Sequence, residues 1–314
     1  MGIDLVHKQA DRLSQISDFD LRLIQVFKTV VESGGFTAAV PALGVSRSAI
    51  SIHMANLEAR FDLKLCQRGR SGFALTEEGR EVYDASLRLL SSIETFRTEV
   101  NGFHRELHGD LNIGITDNLV SLPHMRITQA LAALKNHGPG IRINIHMMPP
   151  SEIERGIIDG RLQVGVVPAV NNMGALEYTP LYDEAAYLYC AANHPLFPRS
   201  DDTITDDELA ACDAVRPVFA LSPAGRRRHR ALNETATATD REGIAFLILT
   251  GSYIGYLPEH FAKRWTRETQ LRAIRPEDHN YRIEYATVTR RGRLPHRVLE
   301  RFLAEIESRG NLEV

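Results

Sequence analysis

Apolar residues recur at helical spacing through the first part of the chain. Between Asp18 and Val31 they fall every three or four positions, which predicts a helix with one buried face. Ser17 and Asp20 have capping-box spacing and predict where this helix begins, and the Ser-Gly-Gly run at 33–35 predicts where it ends. Residues 1–17 are a polar extension to which the pattern assigns no function.

The pattern over residues 36–57 predicts two short helices joined by a tight turn. Gly44 supplies the residue that can turn at positive φ, and Ser46 stands where the N-cap of the second helix should be. In that helix Ile50, Met54 and Leu57 share one face and leave short polar and cationic groups on the others. Such a helix fits the major groove of DNA, although helix pairs also serve as plain scaffold. This stretch alone supports both readings equally.

The next segment, LKLCQRGRSGFALT, predicts a β-hairpin whose tip is basic. Short apolar runs flank an Arg-Gly-Arg-Ser-Gly turn, and four Lys or Arg against one acid lie between residues 60 and 70. Beside a helix-turn-helix, such a hairpin is a wing that reaches phosphates or the minor groove. The alternative is an ordinary solvated hairpin tip.

A long helix is predicted from Thr76, its N-cap, to about Leu107. No proline interrupts it, and apolar residues recur near a 3,4 spacing as far as Phe103. About thirty residues would span about 45 Å. One small domain cannot bury so long a stripe, so we expect a second copy of the chain to cover it, as in coiled-coil dimers. A dimer would present two recognition helices to two half-sites.

From residue 108 onward short β-rich runs alternate with helical segments, which predicts an α/β domain with a largely parallel sheet. Capping boxes at Ser151/Glu154 and Thr205/Glu208 predict two of the helix starts, and another helix is expected over 119–135. The expected fold class is therefore α+β multidomain. The boundaries we predict are an extension 1–17, a DNA-binding domain 18–75, a linker helix 76–107, and an α/β domain 108–314 with subdomains 109–185 plus 281–314, and 186–280.

Composition and the absence of certain sequence motifs restrict the class of protein further. A formal net charge of −3 confines any nucleic-acid surface to a local patch. Three distant cysteines give neither a disulfide framework nor a zinc site, and no transmembrane run or signal peptide is evident, so we expect a cytoplasmic protein without membrane contact. No HExxH, GxSxG or Walker motif occurs, so we expect neither an enzyme nor a cofactor.

Residues 18–105 resemble the DNA-binding region of LysR-type transcriptional regulators. The resemblance rests on GGFTAAVPALGVSRSAISIHMANLE, on LKLCQRGRSGFALTEEGR and on the long helix after them. GDLNIGI and GSYIGYLPEH resemble that family's effector-binding region. The resemblance implies a winged helix-turn-helix, a linker-helix dimer and a periplasmic-binding-protein-like sensor of two Rossmann-like subdomains. The implied partners are double-stranded operator DNA, a small-molecule effector, RNA polymerase, and further copies in a homodimer or homotetramer.

The resemblance also implies which residues contact DNA. The family commonly has Gln where Arg47 stands and Arg where Ile52 stands, so we expect an altered operator preference. Arg47 could bind guanine bidentately, and Ile52 could contact a thymine methyl. Cys66 replaces a residue that is usually aromatic, and we interpret it as core. The DNA-binding candidates are Thr37, Ser46, Arg47, Ser48, Ser51, Ile52, His53, Arg68 and Arg70.

The effector cleft is expected at the C-terminal ends of the strands. Its candidates are Thr116, Asp117, Asn118, Pro150, Ser151, Pro168, Ser222, Thr239 and Asp240, although Asp117 or Asn118 could instead be a simple N-cap. Some family members that bind dicarboxylates carry Arg at the position of Pro168. Its absence here, with Asp117 nearby, favours a neutral, zwitterionic or singly anionic effector, unless Arg216 or Arg241 compensates.

Two features leave alternatives open. The basic runs 226–230 and 290–293 are interpreted as solvated faces, with an anion site or a tetramer contact as alternatives. A redox switch through Cys190 and Cys212 would make a different kind of regulator, and thiol titration before and after mild peroxide would distinguish it.

Overall fold

The computed structural model describes residues 16–69, 72–101, 107–122 and 126–310. The chain divides into two compact units, Met1–Ile93 and Glu94–Val314. Most of the N-terminal extension, Arg70 and Phe103 lie outside the described residues.

The first unit is a three-helix core with a two-stranded wing. The wing strands pair antiparallel, as predicted, with Cys66 opposite Leu75 and Gly69 opposite Gly72. The elements are α1 (Asp18–Glu32), α2 (Val40–Leu43), α3 (Arg47–Phe61), β1 (Cys66–Gly69), β2 (Gly72–Leu75) and the start of α4 (Glu77–Asn101).

Local capping chemistry sets the beginnings of these helices. The capping box is confirmed: the amide of Ser17 donates to Asp20 Oδ2 at 2.9 Å, and the amide of Asp20 donates to Ser17 Oγ at 3.3 Å. Gly44 is left-handed, with φ 64°, and turns the chain into α3. The amide of Ala49 donates to Ser46 Oγ at 3.2 Å, so Ser46 caps α3 as predicted.

The core of the first unit joins α1, α3 and the beginning of α4. Ile50, Met54 and Leu57, the predicted inner face of α3, are fully buried. Cys66 is also buried in this cluster, which confirms its interpretation as core. Burial of each such side chain contributes about 1.5–3 kcal/mol. The hydrophobic effect therefore fixes the back of α3 and leaves its front to solvent.

Two features of α4 differ from the prediction. Val82 and Leu89 pack against the core of their own unit and Leu87 is buried, so this part of the apolar stripe needs no second copy to bury it. Leu107 is not helical, and the described part of α4 ends at Asn101 after 25 residues, or about 37 Å. Farther along the helix, Phe96 is 65% exposed.

The second unit is an α/β structure built on a seven-stranded sheet. The sheet order is β10-β6-β11-β5-β3-β4, with β9 also paired to β6, and β7 and β8 form a separate parallel pair. The strands are β3 (Gly109–Ile115), β4 (Ile141–Met147), β5 (Val164–Pro168), β6 (Leu176–Ala191), β7 (Asp213–Pro217), β8 (Asn233–Ala238), β9 (Gly255–Pro258), β10 (Leu271–Ala273) and β11 (Asn280–Arg290). The helices are α5 (Arg126–Lys135), α6 (Pro150–Ile158), α7 (Asp206–Ala211), α8 (Pro223–Arg230), α9 (Arg241–Leu249), α10 (Glu259–Arg267) and α11 (Arg297–Gly310), with single 3₁₀ turns at Leu119–Ser121 and Asp201–Thr203.

The expectation of a largely parallel sheet is wrong. Among the described strands, β4 and β5 pair parallel with β3, and β7 pairs parallel with β8. The long strands β6 and β11 pair antiparallel with each other, and β11 also pairs antiparallel with β5. These two strands connect the β3–β5 side of the unit to the β9–β10 side. The last helix, α11, returns to pack with α5 through Val298, Leu299 and Phe302.

Helix starts in the second unit follow the sequence only in part. The Thr205/Glu208 capping box is confirmed. The one at Ser151/Glu154 is wrong, because Pro149 takes the N-cap position and makes no side-chain cap bond. The predicted 119–135 helix is interrupted, because Leu122 is extended and α5 begins only at Arg126.

His229 is a buried histidine with a pH-dependent consequence. Its ring packs beside Tyr256 and Tyr281, and burial lowers its pKa to about 4. Between about pH 6.5 and pH 4 the His229 ring is protonated in the unfolded chain but stays neutral in the folded chain. The stabilisation is therefore complete above pH 6.5 and is lost as the pH falls from there toward 4.

We expect the free energy of unfolding of the second unit to fall by about 3 kcal/mol across this window because of His229. Urea unfolding at pH 7 and pH 4.5 should give a smaller difference for His229→Gln than for the wild type. His146→Gln, at an exposed position, is the control and should keep the wild-type difference. An unchanged difference in His229→Gln would contradict the assignment.

Candidate DNA-reading helix and effector cleft

The front of α3 carries the polar and cationic groups predicted to face DNA. Arg47 is the first residue of the helix and is exposed, as are Ser46 and Ser48, whose hydroxyls lie 2.9 Å apart. Ile52 is 60% exposed on the same helix. Thr37 is also exposed, whereas Ser51 and His53 are half-buried. Because the back of the helix is fixed in the core, these side chains are held in a constant register.

Glu58 attaches the end of α3 to the start of the wing. Its carboxylate accepts from Lys64 Nζ at 2.9 Å and from the Leu65 amide at 3.0 Å. Partial burial raises the pKa of Glu58, but these two hydrogen bonds more than offset burial, so the pKa lies below its ordinary value. Arg60 similarly ties α3 to α1 through Asp20, with Nε 3.2 Å from Oδ1.

The wing arginines are only partly described. Arg68 lies in β1 opposite Phe73, and its side chain is not among those described. Arg70 lies outside the described residues, so both contacts stay predictions.

The second candidate site centres on an ion pair between Asp117 and Arg241. Asp117 follows β3, and Arg241 is the first residue of α9. The Arg241 guanidinium bonds to Asp117 Oδ1, and the Arg241 amide donates to Asp117 Oδ2 at 2.7 Å. The carboxylate thus combines a charged partner with a helix N-terminus, an arrangement that favours anions.

The surroundings of Arg241 hold it in place. Its side chain is 3% exposed, its Nη2 donates to Tyr285 Oη at 3.1 Å, and its guanidinium carbon lies 4.5 Å from the centre of the Phe219 ring. Burial opposes the charged form, but the neighbouring Tyr285 and Asp117 groups more than offset it and raise the pKa. Arg241 is therefore a fixed cation at every ordinary pH.

A cavity of about 520 Å³ lies beside this pair. Pro168, Ser222 and Arg241 contribute to its wall, together with two further cations and one acid: Arg227, Arg282 and Glu284. Its size and mixed lining suit a small polar molecule.

The other predicted effector residues precede Arg241, cap a helix, or lie outside the cavity wall. Thr239 and Asp240 precede Arg241, and Asp240 caps α9 by accepting from the Gly243 amide at 2.7 Å. Ser222 caps α8 in the same way at 3.1 Å. Pro150 and Ser151 are not among the residues that line this cavity.

Thr116 and Asn118 flank Asp117 and have unused polar atoms. Thr116 Oγ1 and Asn118 Nδ2 are buried and have no hydrogen-bond partner among the described residues. Asn118 has φ 76° and makes no side-chain cap bond, and Asp117 bonds to Arg241, so the N-cap alternative for this stretch is wrong. A strained residue beside unpaired polar groups is typical of a functional site.

Arg216 and Arg241, the two cations that could compensate for the missing arginine at Pro168, lie in different surroundings. Arg216 is exposed and lies 3.7 Å from Glu234. Arg241 lines the cavity. The sequence named Arg241 without showing its partner, because 124 positions separate Asp117 from Arg241.

The basic runs and the cysteines give little chemistry of their own. In α8 the side chains of Arg226, Arg227 and Arg230 are exposed, but Arg227 also lines the cavity beside Arg241, and His229 is buried. Burial raises the pKa of Cys190 to about 11 and also raises that of Cys212. Both thiols are thus protonated at neutral pH, which disfavours a fast redox switch.

Within the described residues, no helix is long and apolar enough to cross a membrane. The same part of the chain holds no group of three side chains suited to bind a metal ion.

A winged helix-turn-helix followed by an α/β unit with a ligand-sized cavity defines a DNA-binding regulator with a sensor domain. Residues 21–80 match the family "Bacterial regulatory helix-turn-helix protein, lysR family", and residues 104–311 match "LysR substrate binding domain". The chain belongs to the LysR family of transcriptional regulators, whose members are not enzymes.

A sequence relative agrees with this family assignment, and two solved structures share the fold. The "HTH-type transcriptional activator BauR" of Pseudomonas aeruginosa is 57% identical over 294 residues, which are 94% of this chain and 96% of that protein. The crystal structure of CbnR, a LysR family transcriptional regulator, has a TM-score of 0.64 at 18% identity and covers 92% of this chain and 98% of that one. The crystal structure of full-length CbnR complexed with its target DNA has a TM-score of 0.62 at 18% identity and covers 92% of this chain and 99% of that one. The fold class and the regulatory function expected from the sequence are confirmed.

Proposed function

We propose that the front of α3 reads operator DNA and that the cavity beside Arg241 holds the effector that modulates this reading. The observation that carries the proposal is the division of α3 into a buried back and a polar front headed by Arg47. Because the target is chromosomal DNA, we place the protein in the cytoplasm.

Arg47 and Ile52 supply the base contacts in this proposal. Both are exposed, and neither has a structural role in the core of the first unit. Arg47 would bind guanine O6 and N7, and Ile52 would contact a thymine methyl. Phosphate contacts would come from the other polar residues of this surface, Thr37, Ser46, Ser48, Ser51 and His53, and from Arg68 and Arg70 in the wing.

We further propose that two copies pair through the later part of α4. Phe96 and Val100 lie one helical turn apart and are 65% and 46% exposed. A second α4 would remove these side chains from water and place two recognition helices on two half-sites.

The effector is proposed to be zwitterionic, singly anionic or neutral. Arg241 is the cation best placed to bind a carboxylate, but Asp117 already neutralises it and Glu284 adds a further acid to the cavity wall. Of the other two cations on the wall, Arg282 is already paired with Asp183, and Arg227 is exposed, so a second negative charge on the ligand would gain only a weak, solvated pairing.

Thermal-shift measurements test this class. We expect saturable stabilisation of the full chain by a zwitterionic or singly anionic small molecule, and at least tenfold weaker binding of dicarboxylates of matched length. Matched chloride concentrations control for ionic strength. If a dicarboxylate proved the tightest ligand, the proposed charge class would be wrong.

A further inference from the structure

The bonds of Asp117 are those that a ligand carboxylate would form in the same place. One oxygen bonds to the Arg241 guanidinium and the other accepts the Arg241 amide at the start of α9. α9 has nine residues, so its N-terminus has a full helix behind it. The chain thus supplies its own anion to an anion site.

This anion comes from a different part of the unit than its cation. Asp117 belongs to the segment after β3, whose neighbours are β4 and β5, whereas α9 packs with β9. Tyr285 of β11, one of the two long connecting strands, contacts the same guanidinium. The ion pair therefore holds the β3 side to the α9 side.

We propose that Asp117 is an internal stand-in for the effector's carboxylate, and that the effector is an amino-carboxylic acid. Its carboxylate replaces Asp117 on Arg241, and its ammonium group pairs with the displaced Asp117. This inference rests on the proposed function of the cavity as the effector site.

Charge balance selects the zwitterion. The Asp117–Arg241 pair is neutral, and a zwitterion that inserts between its members gives both of them new partners while the sum stays zero. A carboxylate without an amine would leave Asp117 without a counter-ion. A simple amine has no carboxylate to replace Asp117 on Arg241. The local geometry fits an exchange, because the buried Thr116 Oγ1 and Asn118 Nδ2 on either side of Asp117 have no hydrogen-bond partner among the described residues and lose none when Asp117 is displaced.

Acetate is the probe for the carboxylate site, because it needs no knowledge of the natural effector. In Asp117→Ala full-length protein the site loses its internal anion, and sodium acetate should raise the Tm by about 3–5 °C at ten times its Kd, relative to sodium chloride. The wild type, and Asp117→Ala combined with Arg241→Gln, should show less than about 1 °C. Asp201→Ala is the matched control, because it removes the acid that pairs with Arg272, an arginine that does not line this cavity.

Absence of an acetate effect in Asp117→Ala, or an equal effect in the wild type, would overturn the proposal. Asp117→Asn, which keeps the side-chain size, serves if Asp117→Ala fails to fold, and the same acetate response is expected. A second arm uses wild-type protein with amino acids whose charged groups are one to five carbons apart. One member should bind at least tenfold more tightly than the same acid without its amine.

Gel shifts on operator DNA separate the two proposals. A zwitterion that binds wild type and Asp117→Ala equally but still changes operator binding would overturn the exchange and leave the regulator function intact. Acetate rescue of Asp117→Ala with no zwitterion able to change operator binding would overturn the effector role of this cavity.

Discussion

An Arg47→Ala variant is expected to bind its operator about 5- to 150-fold more weakly than the wild type. The estimate follows from about 1–3 kcal/mol for one bidentate contact between an arginine and a guanine. Binding to scrambled DNA should change far less, because phosphate contacts from the rest of the surface remain. Titrated gel shifts with both DNAs measure the two effects.

The fold of the variant should be unchanged, since Arg47 is exposed at the helix start. A change in stability within about 0.5 kcal/mol is expected for such a surface position. Arg22→Ala provides a matched control, because Arg22 is an exposed arginine on α1. Normal operator affinity in Arg47→Ala, or an equal loss in Arg22→Ala, would remove Arg47 from its proposed role.

An Arg241→Met variant is expected to lose about 3 kcal/mol of unfolding free energy in the second unit. Removing one partner of a buried ion pair costs about 3–5 kcal/mol, and the lower end applies because Asp117 is 27% exposed and partly solvated. The Tyr285 hydroxyl also loses its donor. For a unit of this size the loss corresponds to a Tm lower by about 6–12 °C.

The double variant Asp117→Asn/Arg241→Met isolates the pair. It should recover about 1–3 kcal/mol relative to the sum of the single losses, because no unpaired charge remains. Arg216→Met, at an exposed arginine, should cost less than about 0.5 kcal/mol. Additive losses in the double variant would contradict a direct interaction between Asp117 and Arg241.

The first unit could be predicted closely because its signals are local. Ser17 with Asp20, Gly44 and Ser46 act within four residues of their own positions, and each acts as its chemistry predicts. The same logic failed at Ser151, because the prolines before it occupy the capping positions. Glu154 instead accepts from the Tyr178 hydroxyl at 2.9 Å, across 24 positions of sequence.

Strand direction and site assembly are long-range properties that the pattern could not supply. Alternating strands and helices predicted a parallel sheet, yet β6 and β11 cross the unit as antiparallel partners. Similarly, Asp117 looked locally like an N-cap candidate, while its actual partner begins another helix far along the chain. Of the residues predicted for the effector site, Pro168 and Ser222 line the cavity, and sequence reasoning did not find the ion pair beside it.

Footprinting of the full-length protein on the DNA upstream of its own gene tests the central claim most directly. The account predicts two protected half-sites related by two-fold symmetry and one or more helical turns apart, with the protection altered by a zwitterionic ligand and lost in Arg47→Ala. Protection without two-fold symmetry, or protection that Arg47→Ala leaves intact, would contradict it.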